Sequence, residues 1–255
     1  MTASKNGARR EAVAASGPAP STVRGLLAAL DVRCVVALVY AAVVLTLTEY
    51  FFLPGVVRRT GLPACLPGVP PDLASGLVWA ASTYVFFLLG PTLLVRLGGG
   101  SLREHGWSCR GLGRHLVVYA ALFVVMAPAV VVASARPDFA ATYPFAPSAR
   151  TSLERFVLWE AAYLLQFLAL ESFFRGYLLF TLARRFGPTA IAVAVVPYAM
   201  IHFHKPVAEC LGAVVAGLVL GFLALLYRSF LGGVLLHAAV AFLMDFLAAR
   251  RAGLL

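Results

Sequence analysis

Glu171 and Arg175 stand four residues apart in Glu171-Ser172-Phe173-Phe174-Arg175-Gly176, inside a long apolar stretch. On a helix that spacing puts a carboxylate and a guanidinium on one face. In a membrane each such charge costs at least ~2.5 kcal/mol on insertion scales, so something must justify it. Two more polar clusters follow in the next apolar segments, Tyr198 to His204 and His237 to Asp245. Tyr198 and His202 are again four apart, and His237, Ala241 and Asp245 follow one another at the same interval. Peptide hydrolysis needs a base to deprotonate water and donors for the developing oxyanion. A desolvated glutamate beside a histidine can supply the first, and a second histidine the other.

Each residue also has a plainer use. Glu171–Arg175 can be a buried ion pair that only holds helices together, although such pairs stabilise poorly. His202 and His237 taken singly read as hydrogen-bonded packing residues, and Tyr198 as a core aromatic with its hydroxyl bonded. His204, Lys205 and Glu209 fit an interfacial turn. Glu160 lies eleven residues before Glu171, on the same stripe. Neither HExxH nor GxSxG is present, so a zincin or serine hydrolase is unsupported. His202, His204, His237 and a carboxylate could ligate a metal by type, but their spacing follows no recognised pattern. No metal or cofactor is expected.

The elements that carry these residues follow from composition. The 255 residues are 61% hydrophobic and 13% charged, with a mean hydropathy of +0.88, whereas a soluble domain carries roughly 25% charge. Apolar runs near 20 residues recur without alternation, which predicts an all-α polytopic transmembrane helical bundle and argues against a β-barrel. Seven spans are expected, over about 34–53, 74–95, 116–134, 156–180, 187–203, 208–227 and 231–249. Residues 1–25 read as a disordered basic tail, 26–150 as N-terminal helices and loops, and 151–255 as the segment bearing the chemistry. The tail is too long and polar for a signal peptide, and the first helix should remain in the mature protein.

The net charge of +10 does not call for nucleic acid, because the basic residues sit mainly at the ends of apolar runs, as topology requires. Their distribution favours a cytoplasmic N-terminus, and the Ala/Arg/Gly-rich composition suits a bacterial cytoplasmic membrane. Arg250-Arg251 falls on the wrong side for seven spans, so an eighth span or a half-helix is the alternative. Cys34, Cys65, Cys109 and Cys210 are scattered and show no disulfide or zinc spacing. Gly217 and Gly221 form a GxxxG that suits either internal packing or dimerisation.

Depth offers a test of convergence. Counting ~1.5 Å per residue, Glu171 lies roughly 21 Å from the Arg184-Arg185 end, His202 about 22 Å from Gly187, and Asp245 about 21 Å from Leu231. His237 lies only about 9 Å from Leu231. Three of the four groups thus share one level, as a single buried site would require.

With these residues placed, the chain resembles the CPBP (Abi, CAAX prenyl protease and bacteriocin-processing) family over roughly residues 155–249. Glu171, Arg175 and Gly176 fit its EExxxR motif and the glycine that commonly follows. Tyr198 and His202 fit FxxxH with Tyr for Phe, and His237 fits the third-motif histidine. Leu170 stands at the first glutamate, and Ala241 where an asparagine is usual, with Asp245 one turn beyond. The resemblance implies a glutamate-dependent intramembrane endopeptidase, with Glu171 and His202 activating water, His237 holding the oxyanion, Arg175 orienting Glu171, and Asp245 compensating for Ala241. Its partners would be the bilayer and a membrane-associated or lipidated, CAAX-like peptide. A non-proteolytic scaffold or immunity protein of the same family is the rival. A small proton-coupled transporter is the third reading, although no internal repeat supports it.

Overall fold

A computed structural model describes residues 21–255, and no strand occurs among them. The tail expected over residues 1–25 lies outside the described residues except for its last five. A short helix, α1 (Val23–Ala29), is capped by the Thr22 hydroxyl. Asp31 then caps α2 (Val32–Phe52) by accepting from the Arg33 and Cys34 amides at 3.0 and 3.2 Å. There follow α3 (Pro71–Leu97) and α4 (Leu112–Ala133). After these come α5 (residues 153–186), α6 (Ala190–Met200), α7 (Val207–Tyr227) and α8 (Leu231–Arg251). Proline opens α3, where its missing N–H costs nothing, and the Ser152 hydroxyl caps α5.

Among the described residues, six continuous helical stretches are long and apolar enough to cross a membrane, the fourth being Leu153–Met200. That stretch contains both the fourth and the fifth expected spans. It reverses at Gly187, whose φ of +55° with ψ of −143° is accessible to glycine alone. α5 therefore extends beyond the 156–180 expected of it. α6 has only 11 residues, about 16 Å of rise against a hydrocarbon core of about 30 Å. It ends in the turn 201–204 rather than running to 203 as a full span.

α6 lies against α7, α3 against α5, and α8 against both α4 and α5. A Cβ on Gly217 would come within 3.0 Å of Tyr198 and Val195, and one on Gly221 within 2.9 Å of Ile191. The GxxxG thus serves the α6–α7 contact within the chain. Tyr40, Phe87, Phe173, Phe174 and Tyr177 fill the core between α2, α3 and α5, with the Phe87 and Phe173 rings stacked at 4.8 Å. Trp79, Phe145, Trp159, Tyr163 and Phe167 fill a second core on the other half of α5.

Candidate active site

α5 changes character immediately after Glu171. Residues Ser172–Leu178 form a π turn, in which the Leu179 amide reaches back five residues to the Phe174 carbonyl. Such bulges carry one extra residue per turn and recur at functional sites. Gly176 lies within it. A Cβ there would come 3.1 Å from the His105 carbonyl and 3.2 Å from the Phe230 ring. The glycine thus lets the residue preceding α8 seat directly against the middle of α5.

That contact sets the height of α8 and decides which groups meet. The His237 ring, two turns into α8, donates through Nδ1–H to Glu171 Oε1 at 2.9 Å. Arg175 Nη1 donates to the same oxygen at 3.0 Å. The guanidinium carbon also lies 3.7 Å over the Tyr198 ring, fixing its plane. Glu171 is wholly buried and Arg175 is 3% exposed. Glu171 Oε2 and Arg175 Nη2 are buried without a hydrogen-bond partner in the chain. Oε2 faces the first turn of α8, where a Cβ on Gly233 would stand 3.2 Å from it. The amides of a first turn are unpaired within their own helix and favour negative charge.

His202 reaches the same neighbourhood from the end of α6. Its Nδ1–H donates to the Tyr198 carbonyl at 3.0 Å, which leaves the Nε2 lone pair free to act as a base. Its ring stands edge-on to Tyr198 with centroids 4.9 Å apart, and the His237 ring lies 6.3 Å from the same tyrosine. The Cys210 thiol holds the turn by donating to the His202 carbonyl at 2.7 Å. Of the cluster, His237 keeps the largest accessible share, 17% of its side chain.

Glu171, Arg175, Tyr198, His202 and His237 are therefore gathered in one place, and Asp245 is not among them. Asp245 Oδ2 accepts from Trp159 Nε1–H at 2.6 Å, while its Oδ1 and both oxygens of Glu160 are buried without a hydrogen-bond partner among the described residues. The shared level expected of Glu171, His202 and Asp245 does not hold, because α8 begins deep beside Gly176 rather than level with the end of α5. His237, the expected outlier, is the residue in contact with Glu171. Leu170 packs in the apolar cluster with Phe173 and Phe174, and Ala241 in the cluster with Trp159 and Phe167. Glu160 was visible in sequence only as a stripe partner of Glu171. The eight residues from His237 to Asp245 do not match the eleven from Glu160 to Glu171, so sequence spacing carried no signal for its neighbour.

This is an integral-membrane helical bundle with a buried carboxylate, guanidinium and histidine cluster built on α5, α6 and α8. Residues 152–243 match the family described as type II CAAX prenyl endopeptidase Rce1-like. That segment holds every member of the Glu171 cluster and stops short of Asp245. The match covers 92 of the 255 residues, and over that segment the chain is similar to this family of CAAX-type endopeptidases. Comparison with curated proteins and with solved structures gave no significant match.

Proposed function

We propose that this protein is a glutamate-dependent endopeptidase that cleaves a membrane-associated or lipidated peptide within the bilayer. The observation that carries the reading is the arrangement of Glu171. One carboxylate oxygen is held by Arg175 and His237, while the other is buried and unpartnered. A water seated at Oε2, with His202 Nε2 as the proton acceptor, would be the nucleophile for a scissile carbonyl. With Nδ1–H held by Glu171, the His237 ring would donate to the oxyanion from Nε2–H as the imidazolium. Arg175 acts as a positioning residue, since its plane is fixed by Tyr198 and its charge by Glu171. The same reading places the N-terminus and the Arg184-Arg185 end in the cytoplasm.

Leu170, which replaces a carboxylate of the family motif, favours the second reading, a non-proteolytic relative that keeps Glu171 only as an ion-pair partner. One experiment separates the two. Detergent-solubilised full-length protein and its Glu171→Gln variant are assayed in parallel for thermal melting and for cleavage of a lipidated peptide panel. A base role predicts a stable variant with cleavage down by about 10²–10⁴-fold, and His202→Ala should behave alike. Full cleavage by stable Glu171→Gln protein would sink the protease assignment to Glu171. A wild type that cleaves nothing across the panel favours the scaffold.

A further inference from the structure

Away from the Glu171 cluster, the ends of α5 and α7 border an open groove of about 380 Å³ lined by Glu104, Phe180, Arg184 and Arg228. This is within the size range of small-ligand sites. Phe180 is buried and forms the floor, with the Arg228 guanidinium 4.8 Å above its ring. Arg184 Nη2 is bound at 2.6 Å by Glu104, which holds that side chain at the wall and leaves its other donors free. Arg228 makes no ion pair among the described residues. It closes α7 with φ of +54° and ψ of +33°, a left-handed conformation that is uncommon for a residue with a Cβ. The conformation turns the chain so that a charged side chain, rather than the usual glycine, ends the helix over the groove.

We propose that this groove binds the phosphate of an anionic phospholipid from the leaflet on the Arg184 side. Two guanidinium groups present the planar donor forks that match phosphate oxygens. Glu104 reduces the sum of charge at the wall to one positive, which suits a singly charged phosphodiester better than a dianionic monoester. The rim argues for a lipid rather than a soluble anion. Phe186 and Leu226 sit beside the two arginines with 44% and 58% of their surface exposed. They belong to the membrane-facing ends of α5 and α7, where acyl chains attached to the bound headgroup would run. The proposal is independent of the catalytic reading of Glu171.

The test uses full-length protein in neutral detergent and native mass spectrometry. It compares retention of phosphatidylglycerol with that of phosphatidylcholine of the same acyl chains, and glycerol 3-phosphate serves as the soluble arm. Phosphatidylglycerol should be preferred, and each arginine removed should reduce the preference about fivefold. Arg184→Gln/Arg228→Gln should therefore lose most of it, whereas Arg250→Gln/Arg251→Gln, at the far end of α8, should keep it. If the first pair of changes prevents folding, Glu104→Gln provides the reverse test, because it should strengthen retention. Equal retention of the two lipids would overturn the proposal. So would equal loss in both double variants, or competition by glycerol 3-phosphate at the same concentration as lipid.

Discussion

Helices α5 and α8 meet twice through acidic side chains, and the two meetings are partnered in opposite ways. Around Glu171 the carboxylate is answered by cationic and ring N–H donors, Arg175 at 3.0 Å and His237 at 2.9 Å. Around Asp245 there is no cation in contact. A Trp159 N–H serves one oxygen, and the other is buried without a partner among the described residues, as are both oxygens of Glu160. The first arrangement surrounds its carboxyl group with donors and leaves an oxygen free beside reactive groups. The second offers one N–H donor and leaves its remaining oxygens buried without partners. Burial alone thus says little about chemistry in this bundle; the type of partner does.

The comparison can be broken most forcefully by Glu171→Ala, which would leave the Arg175 charge buried and unpaired. A loss of about 3–5 kcal/mol is expected, read as a collapse of melting temperature and expression, while Glu171→Gln stays near wild type. Equal stability of all three proteins would remove the ion pair from the account. Next comes Arg175→Lys. A point charge cannot both bond Glu171 and lie flat on Tyr198, so about 1–2 kcal/mol should be lost with the cation–π contact. Thermal melting checks this, and an unchanged midpoint would show that the guanidinium plane is idle.

Asp245→Asn sharpens the other half of the comparison. The amide can still accept from Trp159 and adds a donor on the side of the unpartnered Glu160 oxygens. Stability should change by less than about 1 kcal/mol, and peptide cleavage should persist. Loss of cleavage in a stable Asp245→Asn protein would join the two acidic regions into one working site.

The smallest effect concerns His105, in the loop packed on Gly176. Its Nδ1–H bonds the Ser101 carbonyl, and burial holds its pKa below the usual histidine value. The fold thus prefers the neutral ring. Its contribution is complete above the unfolded value of about 6.5 and declines as pH falls through that value towards the folded one. Melting temperatures measured from pH 7.5 down to 5 should fall less steeply for His105→Gln than for wild type. Parallel curves would exclude the histidine as their cause.

Much of this was legible in the sequence at the level of single helices. The four-residue spacings of Glu171 with Arg175 and of Tyr198 with His202 reflect i,i+4 geometry, which needs no knowledge of the fold. The span boundaries followed from length and apolarity, including the break before Gly187; what they did not show is that α6 stops after 11 residues. Relative helix heights were not legible. They depend on Phe230 seating against Gly176, a contact between residues 54 positions apart in the chain. A ruler starting from helix ends therefore placed Asp245 where His237 belongs. The proximity of Glu160 to Asp245 was hidden for the same reason, since each looks like an isolated charge until the register of α5 on α8 is known.

The π turn at Ser172–Leu178 has a consequence for how α5 tolerates change. Before it, α5 lies on α3 and α8; after it, the same helix lies on α2 and α6. A single additional residue acts as a phase shifter between two sets of neighbours, much as a keyed coupling joins two shafts turned to different angles. Deleting one residue from 172–178 would rotate the half ending in Arg184-Arg185 by about 100° relative to the half ending in Glu171. Each half would keep its own apolar stripe intact, yet only one could remain docked. Insertions and deletions should therefore be excluded from these seven residues far more strictly than substitutions of similar volume.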